Sequence, residues 1–126
     1  MKLAIVDDNK LEQELIFNTL RTYEHERNIS LDISSYSDGN SFLNTYVPGD
    51  FDLIFMDIQM PVMNGYDSTR HIRALERPDI KSMPIIAMSA NAFAEDIKLC
   101  KESGMNEHIV KPIDFGKVLE ILEKYL

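Results

Sequence analysis

One cysteine in 126 residues excludes a disulfide within the chain, and Cys100 falls in a helical pattern that suits a half-buried packing residue better than a redox centre. No apolar run approaches the ~20 residues a membrane-spanning helix needs. Positive charge is also scarce. Thirteen Lys and Arg stand against 21 Asp and Glu, for a net charge of −8, and the basic residues are scattered where a phosphate backbone would require a stripe. We therefore expect no direct nucleic-acid binding and no membrane association by this chain. There is no repeat, low-complexity tract or long linker, and the N-terminus enters Leu3-Ala4-Ile5-Val6 without a signal-peptide pattern. The expectation is one soluble, cytoplasmic domain over residues 1–126, whose 44% apolar content suffices for a core.

What the chain does have is two short apolar runs that end on bare carboxylates: Leu3-Ala4-Ile5-Val6 on Asp7-Asp8, and Leu53-Ile54-Phe55-Met56 on Asp57. Four apolar residues bounded by polar ones are short for a helix and suit a strand buried on both faces, which puts each acid at a strand's carboxyl end. Carboxylates gathered there repel one another, and each resists ionisation unless a cation joins them. The cluster thus predicts a metal ion, a lysine, or both.

Strands are expected at Lys2–Val6, Leu31–Ser35, Phe51–Met56, Pro84–Ser89 and Glu107–Val110, with helical patterns between them. Leu11, Leu15, Leu20 and Tyr23 mark a first helix, and Gly39–Tyr46, Tyr66–Leu75 and Ala94–Ser103 the next three. The last is the clearest: Phe115, Val118, Leu119, Leu122 and Leu126 line one face and should pack on the sheet. Strand–helix alternation argues for an α/β fold, a doubly wound parallel sheet covered on both sides. In such sheets ligands bind beyond the strand carboxyl ends, where Asp7, Asp8 and Asp57 would lie.

Five features in order carry a resemblance: Asp7-Asp8 after the first strand, Asp57 after the third, Met60-Pro61-Val62-Met63-Asn64-Gly65 beyond it, Ser89 ending the fourth, and Lys111-Pro112 ending the fifth. Over nearly its whole length the chain resembles a receiver domain of two-component response regulators. The resemblance implies a five-stranded flavodoxin-like sheet of order 2-1-3-4-5 with five helices. That strand order is a known property of receivers, so it rests on the likeness alone and not on the residue pattern. By the same likeness Asp57 is the phosphorylated residue, an aspartyl nucleophile for a phosphoryl group from a histidine kinase or phosphotransfer protein. Mg²⁺ would be held by Asp8, Asp57 and the backbone carbonyl of Gln59, with Asp7 acting through a water. Lys111, aimed inward by a cis peptide before Pro112, would meet carboxylate first and phosphoryl oxygen afterwards.

Ser89 is expected to bind the phosphoryl group and report it, while Gln59 and Asn91 match positions that tune hydrolysis. His108 departs from the pattern, standing where the family often carries a tyrosine or phenylalanine switch; an imidazole is smaller and can charge near neutral pH. Plainer readings stand beside these: helix capping for Asp7, Asp8 or Asn9, a turn role for Ser89, a helix-start proline at Pro112, and a half-exposed strand histidine at 108. His25 and His71 read as helix-surface residues, the methionines near Asp57 as packing, and Gly65 as a backbone turn.

Two other functions fit the residues less well. A Mg²⁺-dependent aspartyl phosphohydrolase would want an acid two residues after its nucleophile, where this chain has Gln59, and room for a substrate cap. A nucleotide or flavin binder would want a phosphate-cradling loop after the first strand, and Asp7-Asp8-Asn9 would repel a phosphate. The leading expectation is a phospho-acceptor switch, not an enzyme acting on an external substrate, with an output partner that the sequence does not name. Both a stand-alone receiver and a portion of a longer regulator or hybrid kinase fit. The final helix lacks an arginine-rich face like that of dimerising transcriptional regulators, so a monomer is expected before phosphorylation.

Overall fold

The computed structural model describes residues 1–60, 63–76, 83–90 and 93–126. Ten elements alternate along the chain: β1 Lys2–Val6, α1 Lys10–Arg27, β2 Asp32–Tyr36, α2 Gly39–Thr45, β3 Leu53–Asp57, α3 Gly65–Leu75, β4 Ile85–Ser89, α4 Ala94–Ser103, β5 Glu107–Val110 and α5 Phe115–Tyr125. The five strands form one sheet in the order β2-β1-β3-β4-β5, every pairing parallel. The α/β architecture and strand order are those expected.

Position in the sheet explains the strand sequences. β3 and β4 lie inside the sheet and are buried along their whole length, so every residue up to the terminal Asp57 and Ser89 is apolar. The edge strand β2 is only partly covered and carries Asp32, Ser34 and Ser35. Alternation across the pleat divides the interior in two. Leu3, Ile5, Leu53, Phe55, Ile86, Met88 and Ile109 face one way, toward α1 and α5. Ala4, Val6, Ile54, Met56, Ile85 and Ala87 face the other, toward α2, α3 and α4.

Local signals set the helix ends. Asn9 caps α1, its side chain accepting from the amides of Leu11 and Glu12 at 2.9 and 3.2 Å. Gly104 closes α4 at φ 104°, a left-handed conformation that a Cβ would strain. Among the described residues no helix is long and apolar enough to cross a membrane.

Several boundaries and faces differ from expectation. β2 runs one residue later than Leu31–Ser35, and β3 starts at Leu53 instead of Phe51 and includes Asp57. A carboxylate side chain leaves the backbone free to pair, and Asp57 stands opposite Met88 in the ladder. β4 starts at Ile85 and α3 at Gly65, each one residue from its expected start, while α2 closes at Thr45. Leu11 and Leu15 are 76% and 41% exposed, because the face of α1 that meets the sheet is Ile16, Thr19, Leu20 and Tyr23. Cys100 is fully buried, not half-buried.

Candidate functional site

β1 and β3 lie side by side, so Asp7 and Asp57 emerge together at the carboxyl edge of the sheet. Both are buried, at 0% and 2% exposure. Short turns pin them. Asp7 Oδ1 accepts from the Asn9 amide at 2.9 Å and Asp57 Oδ1 from the Gln59 amide at 3.1 Å. The capping reading therefore belongs to Asn9, and Asp7 serves the turn before it. Asp8 is exposed, and its carboxyl is near enough to Asp57 to add to the rise of the Asp57 pKa.

Gly65 fixes the loop after Asp57 by its lack of a side chain. A Cβ there would stand 2.4 Å from the Asp57 carbonyl oxygen and 2.7 Å from the Ile58 Cα. The first turn of α3 thus rests directly on the backbone that presents Asp57, which is a close approach rather than a special turn conformation.

Lys111 arrives from the other end of the chain. Its backbone amide donates to the Ser89 carbonyl at 2.7 Å, continuing the β4–β5 pairing by one step, and the Lys111–Pro112 peptide is cis as expected. The ammonium lies 3.1 Å from Asp7 Oδ2 and 3.3 Å from Asp57 Oδ1, and it also pairs with Glu12 of α1. Ligand-capable oxygens of Asp7, Glu12 and Asp57 all fall within 4.8 Å of one another.

Electrostatics follow from crowding. Burial pushes the Asp57 carboxyl up to about 7, reinforced by Asp7 and opposed by the Gln59 amide and the Lys111 charge. Burial likewise raises Asp7, against the Asn9 amide and Lys111. Burial would lower Lys111, but Glu12, Asp57 and Asp7 outweigh it and hold its pKa above the usual value. One lysine is too little positive charge for this many acids.

Ser89 ends β4 almost fully buried, and its hydroxyl lies 2.7 Å from His108 Nε2. Ala87 and His108 stand opposite each other in the β4–β5 ladder, which sets the imidazole beside that hydroxyl. Burial pushes His108 below its ordinary pKa, partly offset by Asp96. The structure thus brings Asp7, Asp8, Asp57, Gln59 and Lys111 together, and joins Ser89 to His108. His25 and His71 lie on helix surfaces. Asn91 lies outside the described residues.

Glu12 is the residue that sequence reasoning missed. Its only signal was an acid in the first turn of the helix that follows Asp7-Asp8, where helix charges ordinarily face solvent.

Known proteins resemble this chain over nearly its whole length. The family model described as "Response regulator receiver domain" matches residues 3–123. The chain is 36% identical over 125 residues to hybrid signal transduction histidine kinase L of Dictyostelium discoideum, covering 98% of this chain and 7% of that protein. It is 31% identical to the receiver domain of sensor histidine kinase PA1611 from Pseudomonas aeruginosa PAO1, solved with magnesium in its active-site cleft. There the TM-score is 0.81, with 98% of this chain and 95% of that one covered. Vibrio cholerae chemotaxis protein CheY4 superposes at a TM-score of 0.83 and 25% identity, with 99% and 98% covered. The chain belongs to the response regulator receiver domains, the phospho-acceptor modules of two-component signal transduction. It spans only 5% to 16% of the length of eight curated relatives, all of them histidine kinases.

The residues fit a hard cation. Asp7 Oδ2 is buried and within ion-pair reach of Lys111, yet it has no aligned hydrogen-bond donor among the described residues. A carboxylate oxygen in that condition, beside a second buried carboxylate, suits magnesium with some of its waters retained.

Proposed function

We propose that Asp57 is the residue that takes the phosphoryl group, from a phosphohistidine of a sensor histidine kinase or phosphotransfer protein. The observation that carries this is the buried Asp57 carboxylate, placed 3.3 Å from the one ammonium of the cluster at the open end of the sheet. In the transfer an Asp57 oxygen forms a bond to phosphorus as the phosphorus–nitrogen bond breaks, and the electron pair leaves with the imidazole. Mg²⁺ would be held by Asp8, Asp57 and the Gln59 carbonyl, with Asp7 through a water. Bound there, it would supply the positive charge that lets Asp57 ionise and that offsets charge on the phosphoryl oxygens.

Lys111 neutralises Asp57 before transfer and a phosphoryl oxygen after it. Ser89 is drawn toward the phosphoryl group, and the His108 imidazole loses its hydroxyl partner. The α4, β5 and α5 face then changes, and a partner that prefers the altered face reads the signal. Phe93, Ile97 and Val110, 68%, 37% and 40% exposed, give that face apolar surface to offer. Gln59 and Asn91 tune the lifetime of the aspartyl phosphate.

Acetyl phosphate with Mg²⁺ should label wild type at one phosphoryl per chain and leave Asp57→Asn unlabelled. Labelling of Asp57→Asn to the same extent would overturn the assignment.

A further inference from the structure

We propose that Glu12 is a positioning residue for phosphoryl transfer: it holds Lys111 in the resting site and competes with the phosphoryl group for it. This rests on the reading of Asp57 as phosphoryl acceptor and adds a fourth acid with a role of its own. The helix start explains why the carboxylate is available. A glutamate three residues after an N-cap commonly reaches back to the cap's own amide. In this chain the Asn9 amide is already taken by Asp7 Oδ1 at 2.9 Å. Glu12 has no such work to do and instead pairs with Lys111, 99 positions away.

Stoichiometry makes that pairing consequential. An ammonium has three N–H donors, and three carboxylates surround this one: Asp7, Glu12 and Asp57. Of these, Glu12 accepts a hydrogen bond from the ammonium, whereas Asp7 Oδ2 is paired by charge without an aligned donor, so a phosphoryl oxygen that is to meet Lys111 competes chiefly with Glu12. Asp7 and Asp57 are buried and tied by turn amides, whereas the Glu12 side chain is 32% exposed and can swing into water. Glu12 is the partner that yields.

Its charge acts with opposite sign on the two species the site must admit. With its oxygens within 4.8 Å of those of Asp7 and Asp57, Glu12 draws a divalent cation in and pushes a phosphoryl anion away. Glu12 also keeps Lys111 from bearing fully on Asp57, which would otherwise compete with the cation. The residue therefore favours the metal-loaded, unphosphorylated site and shortens the hold on the phosphoryl group.

The test is calorimetric titration of Mg²⁺ into wild type, Glu12→Gln and Glu12→Ala, followed by beryllofluoride at saturating Mg²⁺. Both variants should bind Mg²⁺ about three- to tenfold more weakly and beryllofluoride about three- to tenfold more tightly than wild type. A loss of packing would move both affinities the same way. Shifts in one direction, no shift in either, or a Glu12→Gln indistinguishable from wild type overturns the role of Glu12. Wild type that takes up no beryllofluoride overturns the phospho-acceptor reading itself, so the two failures are separable.

Discussion

Asp57→Asn should stabilise the metal-free protein at pH 8 and do so much less at pH 4. The native Asp57 carboxyl is pushed up to about 7, against 3.8 for the ordinary group. Between those two values the folded chain keeps a proton that the unfolded chain has released, so wild-type stability falls as pH rises through the window and levels off above it. At 1.36 kcal/mol per tenfold difference in proton affinity, the full gap corresponds to about 4 kcal/mol. Water entry, and a response of Asp7 to the loss of its neighbour's charge, reduce this to about 2 kcal/mol. Urea unfolding in EDTA, followed by circular dichroism because the chain has no tryptophan, measures the difference. With a slope of about 2 kcal/mol/M, the midpoint of Asp57→Asn should exceed wild type's by about 1 M more at pH 8 than at pH 4. Saturating Mg²⁺ should raise the wild-type midpoint at pH 8 and leave that of the variant nearly unchanged. A gain equal at both pH values, or a loss at pH 8, would refute the account of Asp57 as a buried acid held at an energetic cost.

Gly65→Ala places a methyl group 2.4 Å from the Asp57 carbonyl oxygen; it should cost about 1–3 kcal/mol in the same urea assay and weaken Mg²⁺ binding as the Asp57 backbone shifts. An alanine variant as stable as wild type would show that the α3 start does not rest on that backbone. His108 should titrate below 6.5 by NMR, since burial disfavours its imidazolium. The stability it contributes is then present above 6.5 and declines as pH falls through its native midpoint; a midpoint above 6.5 would contradict the burial argument.

The alternation of elements and the convergence of Asp7 and Asp57 were legible because β1 and β3 pass from apolar residues to acids at their carboxyl ends, whereas Lys111 was placed beside them through resemblance. The strand order was legible only through resemblance, since periodicity does not say which parallel strands are neighbours. The face of α1 was misjudged for a physical reason: Leu11 and Leu15 look like core, but the helix meets the sheet through Ile16, Leu20 and Tyr23, with Thr19 bonding back to the Leu15 carbonyl at 2.8 Å. Glu12 escaped notice because Asn9-x-x-Glu12 has the spacing of an ordinary capping pair. Only the structure shows that the Asn9 amide is already taken. The bond between Ser89 and His108 joins two strands, and no local pattern in either announces it.

The sheet separates two apolar compartments that need not share the same mechanical fate. By strand alternation Ser89 lies on the same face of β4 as Ile85 and Ala87, which belong to the α2–α3–α4 compartment. Met88 and Ile109, immediately beside Ser89 and His108 in sequence, belong to the opposite compartment under α1 and α5. The motion proposed for Ser89 and His108 would therefore start on the α4 side of the sheet and reach α5 only through β5. Substitutions of equal volume in the two compartments should then act unequally on that motion, an asymmetry that sheet geometry confers without any dedicated hinge.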